Sequence, residues 1–343
     1  MRIQVLKFGG TSLVTAARRQ QAAARVREAM ARGATPLVVV SALGRRGDPY
    51  STDTLLDLAR GTDVPAREVA LLAGCGEVIS TVVTAQTLRR QGIEAVAFTG
   101  AQAGIRTTNG HTGAVILSMD PGGLLDTLAA GRVPVVAGFQ GGTANGEMTL
   151  LERGGSDITC TALGYAVRAE RVDIFTDVAG ILTADPRLVP DARPVEALTY
   201  EQALLRTSHG ARVLHPEALT WAIRGQLPVW VRSLCEPEGG TRLSAGLPAG
   251  ADPPPPCVAV NAPEGSPLAE VSLVGGPGEV GEGRAAVRAA LTQAGVPVVR
   301  LAEAPQVLSA AVPAPCAGTA ARALHARFVG RPDTAELELP FAV

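Results

Sequence analysis

Hydrophobic residues along this chain come in short runs that alternate with longer amphipathic stretches. The runs are typical of strands buried on both faces, and they predict strands at 3–6, 37–40, 94–98, 133–137, 172–176 and 229–232. The stretches between them predict helices at 11–32 (capped by Thr11 and Ser12), 51–60, 65–90 (broken near Gly74 and Gly76) and 155–168, and two more up to about 224. This alternation predicts an α/β fold, a three-layer α/β sandwich with a mostly parallel sheet.

The composition of the chain changes after residue 234. Residues 237–256 are rich in Gly, Pro, Ala and Ser and end in four prolines, which predicts an extended linker. Beyond it, strands at 270–274, 298–301 and 307–312 and helices at 282–294 and 318–328 follow the order of a small ferredoxin-like α+β domain. We therefore expect a main domain at 1–234, a linker at 235–256 and a small domain at 257–343, in which the strand-like ends 258–261 and 336–341 pair with each other.

Charge and cysteine usage narrow the possible classes of function. The net charge is -1, so there is no electrostatic argument for nucleic acid or an anionic membrane as a partner. No apolar run reaches the ~20 residues of a membrane span, and no signal peptide precedes the first strand. The five cysteines lie far apart, without metal-ligand spacing, which suits a reducing compartment. We expect a cytoplasmic protein without a dedicated metal site.

The single lysine of the chain, Lys7, is the first candidate for chemistry. A compact ammonium fits a narrow site beside a moving phosphoryl group, where a broad guanidinium does not. Lys7 stands just before Gly9 and Gly10, and glycines between a strand and a helix let backbone N–H groups approach a phosphate. The alternatives are a lysine retained by chance and glycines that serve only a tight turn.

A second glycine pair leads into a helix at residues 152–157, Glu-Arg-Gly-Gly-Ser-Asp. Ser156 and Asp157 are explained by helix capping alone, but capping leaves Arg153 unexplained. An arginine beside two glycines can hold a substrate carboxylate with two hydrogen bonds. Asp157 could also pair with Lys7 and fix its position.

A third segment, residues 176–187, follows a predicted strand. It contains Thr176 and Asp177 at its start and Asp185-Pro186-Arg187 at its end. Taken alone it is an ordinary loop. The carboxyl end of a strand is, however, the place where open α/β sheets bind nucleotides.

Taken in order, these segments resemble the aspartate kinases of the amino acid kinase family. The resemblance covers about residues 1–234, whereas glutamate, carbamate or uridylate kinases share the Lys-Gly-Gly element but not this full set. The motifs that carry it are Lys7-Phe8-Gly9-Gly10-Thr11-Ser12, Val39-Val40-Ser41-Ala42, Gly76-Glu77, Thr99-Gly100-x-Gln102-Ala103-Gly104, Gly138-Phe139-Gln140-Gly141, Arg153-Gly154-Gly155-Ser156-Asp157, Thr176-Asp177 with Asp185-Pro186-Arg187, and Val213-Leu214-His215-Pro216.

The resemblance implies transfer of the γ-phosphoryl group of ATP, with Mg²⁺, to the β-carboxylate of L-aspartate. The product is 4-phospho-L-aspartate, the first intermediate toward lysine, threonine and methionine. By the same resemblance, the catalytic residues are Lys7, Gly9, Gly10 and Asp157. The substrate-binding residues are Thr11, Ser41, Glu77, Arg153 and Ser156. The nucleotide-binding residues are Thr176, Asp177, Leu182, Asp185, Arg187 and Arg212. Mg²⁺ is expected mainly on ATP oxygens.

The chain departs from the family pattern at several positions. Arg212 stands where the family usually has lysine, and Leu182 stands where it usually has tyrosine. After residues 41–44 the family tends to continue with Thr-Thr-Asp or similar, but here residues 45–48, Arg-Arg-Gly-Asp, intervene, so we expect one hydroxyl contact with the substrate to be missing. The small domain is similar to one ACT domain, where the family generally carries two. We expect it to form a homodimer, with feedback by lysine or threonine absent or altered.

Two other functions remain open at this point. The chain could be a catalytically silent amino-acid-sensing subunit, although Lys7, Arg153 and Asp157 argue against that. It could also be a kinase for a related amino acid such as glutamate, since Glu77 and Arg153 would serve either acceptor. The sequence leaves the effector and the oligomer size undetermined.

Overall fold

The described residues in the computed structural model are 1–61, 63–211, 213–236, 238–275 and 283–330. They divide into two compact units that interleave along the chain. The main unit comprises Met1–Ile181, Glu196–Leu204 and Leu214–Ala249, and the small unit comprises Leu182–Val195, Leu205–Val213 and Gly250–Val343. The predicted boundaries at 234 and 257 did not anticipate that two segments inside 1–234 group with the small unit.

Two sheets organise the main unit. Eight strands form a mixed sheet of order β10-β12-β11-β9-β1-β2-β6-β3, and four form a second sheet of order β5-β4-β7-β8. Within the larger sheet the β11–β12 ladder is antiparallel and the other ladders are parallel, which confirms the predicted mostly parallel sheet. The strands are β1 (Ile3–Phe8), β2 (Thr35–Val40), β3 (Ala95–Phe98), β4 (Ile105–Thr107), β5 (Ile116–Met119), β6 (Val133–Ala137), β7 (Gln140–Gly142), β8 (Met148–Leu150), β9 (Arg171–Thr176), β10 (Ala197–Thr199), β11 (Val229–Ser233) and β12 (Thr241–Ser244).

Helices cover both faces of the large sheet, as the sandwich prediction requires. Alternate residues Leu6 and Phe8 of β1 pack in one apolar core with α1 and α3. Val5 faces the other way, near Gly164 of α5. The helices from Met1 to Gly225 are α1 (Ala16–Ala31), α2 (Thr52–Asp57), α3 (Ala66–Arg90), α4 (Gly122–Ala129), α5 (Gly155–Ala166), α6 (Tyr200–Ser208) and α7 (Pro216–Gly225).

Two predicted helix details are wrong. Thr11 and Ser12 do not cap α1; they lie in a separate 3₁₀ turn, and the Thr15 side chain accepts the capping hydrogen bond from the Arg18 N–H. The break near Gly74 and Gly76 is absent, because these glycines serve close packing within one continuous helix. A Cβ on Gly74 would lie 2.3 Å from the Met148 sulfur, and one on Gly76 would lie 2.8 Å from the Ala42 Cβ.

Helix α3 is long and apolar enough to cross a membrane by length and composition alone. Half of its most apolar window is buried inside the protein, however. Ala85 and Leu88 contribute to the core beneath β1 and β2, and Ala70 and Ala73 pack with Leu150. Since α3 also buries the carboxylate of Glu77, we interpret it as a core helix of this fold.

The segment expected to be a linker contains a strand of the main sheet. β12 pairs antiparallel with β11 and parallel with β10. The return from β11 uses Gly239 and Gly240 at φ values of +106° and +99°, a region that favours glycine. A Cβ on Gly240 would lie 2.4 Å from the Val231 carbonyl oxygen. The glycines that suggested a linker therefore form a tight turn between β11 and β12.

The small unit is an antiparallel sheet with two helices. Its sheet has the order β13-β14-β16-β15, and its core joins both helices to β14 and β16. The elements are β13 (Cys257–Asn261), β14 (Leu268–Val274), α8 (Gly283–Gln293), β15 (Arg300–Ala304), β16 (Val307–Pro313) and α9 (Ala317–Phe328). β13 is an edge strand that pairs with β14, and its expected partner, residues 336–341, lies outside the described residues, so that pairing stays a prediction. The ferredoxin-like prediction therefore holds, with β13 as an added strand.

Candidate active site

The carboxyl ends of three neighbouring strands define the candidate site. β1 lies between β9 and β2, and Phe8 is in register with Phe175 on one side and Val40 on the other. The segments that follow these strands therefore emerge side by side at one edge of the sheet. This edge is where parallel α/β sheets bind ligands.

Lys7 forms a partly buried ion pair at this edge. It alternates with Leu6 and Phe8 along β1 and so faces the α5 side of the sheet. Its Nζ lies 2.7 Å from Oδ1 of Asp157, in the first turn of α5, and its side chain is 12% exposed. Burial acts to lower the pKa of Lys7, but the Asp157 carboxylate outweighs burial, and the net pKa is raised above the usual lysine value. Lys7 is therefore held as a cation.

The Gly9-Gly10 turn lies directly beyond Lys7. The Gly9 N–H donates to the Phe175 carbonyl (3.2 Å), and the Gly10 carbonyl accepts from the Gly44 N–H (3.0 Å). A Cβ on Gly10 would lie 2.4 Å from the Ala42 carbonyl oxygen, whereas one on Gly9 would have no neighbour closer than 3.6 Å. Gly10 thus lets the β1 and β2 loops pack backbone to backbone. Thr11 follows in the 3₁₀ turn, where its carbonyl accepts from Arg18.

The second glycine pair sets the start of α5. Gly154 has φ +90°, and a Cβ on Gly155 would lie 2.6 Å from the Phe139 ring. Ser156 packs against Gly138, where a Cβ would lie 2.6 Å from its Oγ. These close approaches bring the first turn of α5, and with it Asp157, to the end of β1.

Glu77 is a buried carboxylate with one unused oxygen. It is 2% exposed. Its Oε1 accepts from the Ala42 N–H (3.2 Å) and the Thr52 hydroxyl (3.4 Å), while no described residue donates to Oε2. Burial raises the pKa of Glu77 to about 7, although the Ala42 and Thr52 hydrogen bonds act against the rise. Ser41 is the residue before Ala42, and its N–H donates to the Phe8 carbonyl, so both lie at the same edge.

Sequence reasoning missed Thr52 and Asp53 as site residues. Residues 45–48 were expected to leave the site without one hydroxyl contact; Thr52, further along the chain, places a hydroxyl beside Glu77. Asp53 accepts from Arg153 at 3.1 Å, although the Arg153 side chain is 91% exposed. The signal that could have identified them is the Ser-Thr-Asp sequence at 51–53, which the loop at 45–48 separates from Ser41.

Thr176 is the last residue of β9, on the other side of β1, and Asp177 follows it. The Thr176 hydroxyl donates to Oδ1 of Asp177 at 3.1 Å, and Arg45 pairs with Oδ2. Burial lowers the pKa of Lys7, and Asp177 contributes least of the groups that raise it, after Asp157 and Cys160. The carboxylate therefore lies close enough to Lys7 to act on its charge.

The other expected nucleotide-binding residues are not gathered in the main unit. Leu182, Asp185 and Arg187 belong to the small unit, where Arg187 pairs with Asp185 and Leu182 bridges to Pro194. Arg212 lies outside the described residues. Within the described ranges, no group of three or more His, Cys, Asp or Glu side chains could hold a metal ion.

Comparisons of the sequence with known proteins agree on one family. A profile of the amino acid kinase family matches residues 2–233. Aspartokinase 1 of Bacillus subtilis is 46% identical over 247 residues, which is 71% of this chain and 61% of that protein. The chain therefore spans about three fifths of the length of that relative.

Solved structures share the fold. The structure of E. coli aspartokinase III in complex with aspartate and ADP has a TM-score of 0.78 at 22% identity and covers 95% of this chain and 100% of that chain. The aspartate kinase from Synechocystis has a TM-score of 0.61 at 27% identity and covers 98% of this chain and 71% of that chain. At 22% identity the likeness to the E. coli enzyme shows the fold alone.

Proposed function

The chain belongs to the amino acid kinase family, and on that premise we propose that it is an ATP-dependent aspartate kinase. The reaction is transfer of the γ-phosphoryl group of ATP to a β-carboxylate oxygen of L-aspartate. The P–O bond to the leaving ADP breaks and a P–O bond to the carboxylate forms. Because the acceptor is already an anion, no side chain has to remove a proton. The site needs charge and position rather than a general base.

The observation that carries the proposal is the partly buried Lys7–Asp157 ion pair beside Gly9 and Gly10. Charge that develops on the transferring phosphoryl group is stabilised best by donors fixed in advance in a water-poor site. Lys7 supplies the cation there, Asp157 orients it, and the Gly9 and Gly10 backbone lies beside it. This arrangement serves phosphoryl transfer.

Glu77 supports an amino acid as the acceptor. Glu77 is a buried carboxylate with a pKa of about 7 and no hydrogen-bond donor on Oε2 among the described residues, and a cationic partner would stabilise its ionised form. The α-ammonium of aspartate supplies one. In this proposal Arg153 binds a substrate carboxylate, and the remaining polar contacts come from Thr11, Ser41, Thr52 and Ser156.

MgATP is the second substrate in this proposal. In this proposal Thr176 and Asp177 contact it from the end of β9. The family resemblance also assigns Leu182, Asp185, Arg187 and Arg212 to the nucleotide, and those assignments stay predictions. Mg²⁺ enters on the ATP oxygens, where hard oxygen ligands and water satisfy it. We further propose that the enzyme is cytoplasmic and that the ACT-like small unit makes it a homodimer.

A hydroxylamine trapping assay tests the function. The protein is incubated with MgATP, hydroxylamine and either aspartate or glutamate, and the acyl phosphate is measured as its hydroxamate. We expect product with aspartate and not with glutamate. Product with glutamate alone would replace the proposal with a glutamate kinase. No product with either acceptor, together with intact ligand binding, would favour the silent sensing subunit.

A further inference from the structure

An ion pair crosses the candidate site directly over β1. Arg45 lies in the loop after β2, and it pairs with Asp177 in the loop after β9. Since β1 lies between those two strands, the pair spans the end of the strand that carries Lys7 and the glycine turn. The Arg45 side chain is nevertheless 68% exposed and not locked by packing.

The backbone of Arg45 is fixed beside the glycine turn. The residue before it, Gly44, donates its N–H to the Gly10 carbonyl at 3.0 Å. The Arg45 N–H donates to Oδ2 of Asp48 at 2.7 Å, and the Asp48 N–H returns to the Arg45 carbonyl at 2.8 Å. The loop is thus a closed turn anchored on Gly10, and the part of Arg45 that can move is its side chain.

We propose that Arg45 is a further phosphate-binding residue of this site. In the free protein its guanidinium forms an ion pair with Asp177, and when the nucleotide binds it pairs with the phosphates instead. The proposal rests on the proposed function, because it takes the nucleotide phosphates to lie at Gly9, Gly10 and Lys7. A guanidinium offers paired N–H donors that match phosphate oxygens. Arg45 directly follows Gly44, whose N–H donates to the Gly10 carbonyl.

The competing interpretation is an ordinary surface ion pair. Exposed pairs of this kind contribute little to stability, and truncating one leaves ligand affinity unchanged. Arg60 provides a matched control, because its side chain is 71% exposed and its NH2 lies 3.0 Å from Oδ1 of Asp57. Arg60 has no place in the proposed site.

The test is calorimetric binding of two probes to the full chain. The probes are the β,γ-imido analogue of ATP with Mg²⁺, which carries the phosphates, and adenosine, which lacks them. For Arg45→Ala we expect affinity for the analogue to fall about tenfold or more, as for loss of a hydrogen bond between charged groups. Adenosine affinity stays unchanged. Arg45→Lys keeps the charge but not the fork and should lose about three- to fivefold. Arg60→Ala should bind both probes like the wild type.

Three results separate the failure of this assignment from failure of the proposed function. If Arg45→Ala binds the analogue like the wild type while the wild type makes aspartyl hydroxamate, Arg45 is not a phosphate ligand and the kinase assignment stands. Equal weakening for adenosine and the analogue would also overturn it, since that indicates a disturbed loop. Selective loss of the analogue supports Arg45 even if the wild type phosphorylates neither acceptor.

Discussion

Two charges at the carboxyl edge of the main sheet, the partly buried Lys7 and the buried Glu77, are held in opposite ways. At the phosphate end of the site, formed by Lys7, Gly9, Gly10 and Asp157, the cation has its counter-ion at 2.7 Å and a raised pKa. At the acceptor end, formed by Ser41, Thr52 and Glu77, the anion has two neutral donors on one oxygen and no donor among the described residues on the other.

The difference shows which end is complete without ligand. The phosphate end keeps its ammonium charged through its own carboxylate, as the proposed binding of a polyanion there requires. The acceptor end carries an unbalanced carboxylate, whose burial raises the pKa of Glu77 to about 7. A buried charge without a counter-ion is costly, so a cationic ligand at Oε2 would stabilise the ionised form of Glu77.

The largest expected effect on activity comes from changing the shape of the cation at the phosphate end. Lys7→Arg keeps the charge but replaces a slim ammonium by a wide guanidinium beside Asp157. We expect kcat to fall about 10²–10³-fold, as for loss of one fixed donor to developing charge. Steady-state kinetics measure the fall, and circular dichroism melting checks that the variant is folded. A folded Lys7→Arg with wild-type turnover would refute the role of Lys7.

The next effect is at the unbalanced end. Glu77→Gln keeps the shape of the side chain and the ability to accept from Ala42 and Thr52, but it removes the negative charge. We expect KM for aspartate to rise about 100-fold, in line with truncation of a buried charge pair, while KM for ATP changes by less than about twofold. A larger change in the KM for ATP than for aspartate would contradict the division of the site into two ends.

Neighbouring glycines of the phosphate end separate packing from ligand access. Gly10→Ala forces a Cβ to 2.4 Å from a backbone oxygen, so we expect a loss of about 3 kcal/mol of unfolding free energy. Gly9→Ala is the matched control, because its Cβ has ordinary contacts and its φ of -68° suits alanine. Gly9→Ala should fold like the wild type and bind ATP more weakly. Equal stability of both variants in urea unfolding would show that the β1 and β2 loops are not packed as described.

Sequence patterns predicted the parts of this fold that local periodicity decides. Apolar runs located the strands of the parallel core. The pairing of Asp157 with Lys7, considered from the sequence and implied by the family resemblance, is present in the structure. Tertiary contacts decided the rest. Gly74 and Gly76 look like helix breakers locally, yet they are required where α3 packs closely on Met148 and Ala42. β12 was not predicted because it lies in Gly-rich sequence and forms only by pairing with β11 and β10.

The candidate site shows the same limit. Glu77 was found by its motif, but its unused oxygen depends on three-dimensional surroundings that no sequence window contains. Thr52 was missed because the loop at 45–48 separates it from Ser41 in sequence while the fold returns it to Glu77. The roles carried over for Leu182, Asp185 and Arg187 stay predictions.

The smallest effect concerns the pH dependence of stability, and its sign follows from Glu77. The unfolded carboxyl titrates near 4.5, whereas burial raises the pKa of folded Glu77 to about 7. Below the lower value both states are protonated and the group is neutral to stability. Between the two values the unfolded state loses its proton first, so this group lowers the free energy of unfolding as pH rises, and above the upper value the loss is constant.

Comparing wild type with Glu77→Gln isolates that contribution. From about pH 5.5 to about pH 8, the wild type should lose roughly 2 kcal/mol relative to the variant in urea unfolding, because other titrating groups cancel in the difference. Bound aspartate should shrink the gap in the wild type, since its ammonium favours the ionised carboxylate. Aspartate binding should then release protons near pH 7, which calorimetry in two buffers of different ionisation enthalpy detects. A pH-independent difference between the two proteins would mean that Glu77 is already balanced without ligand, and the contrast between the two ends of the site would be lost.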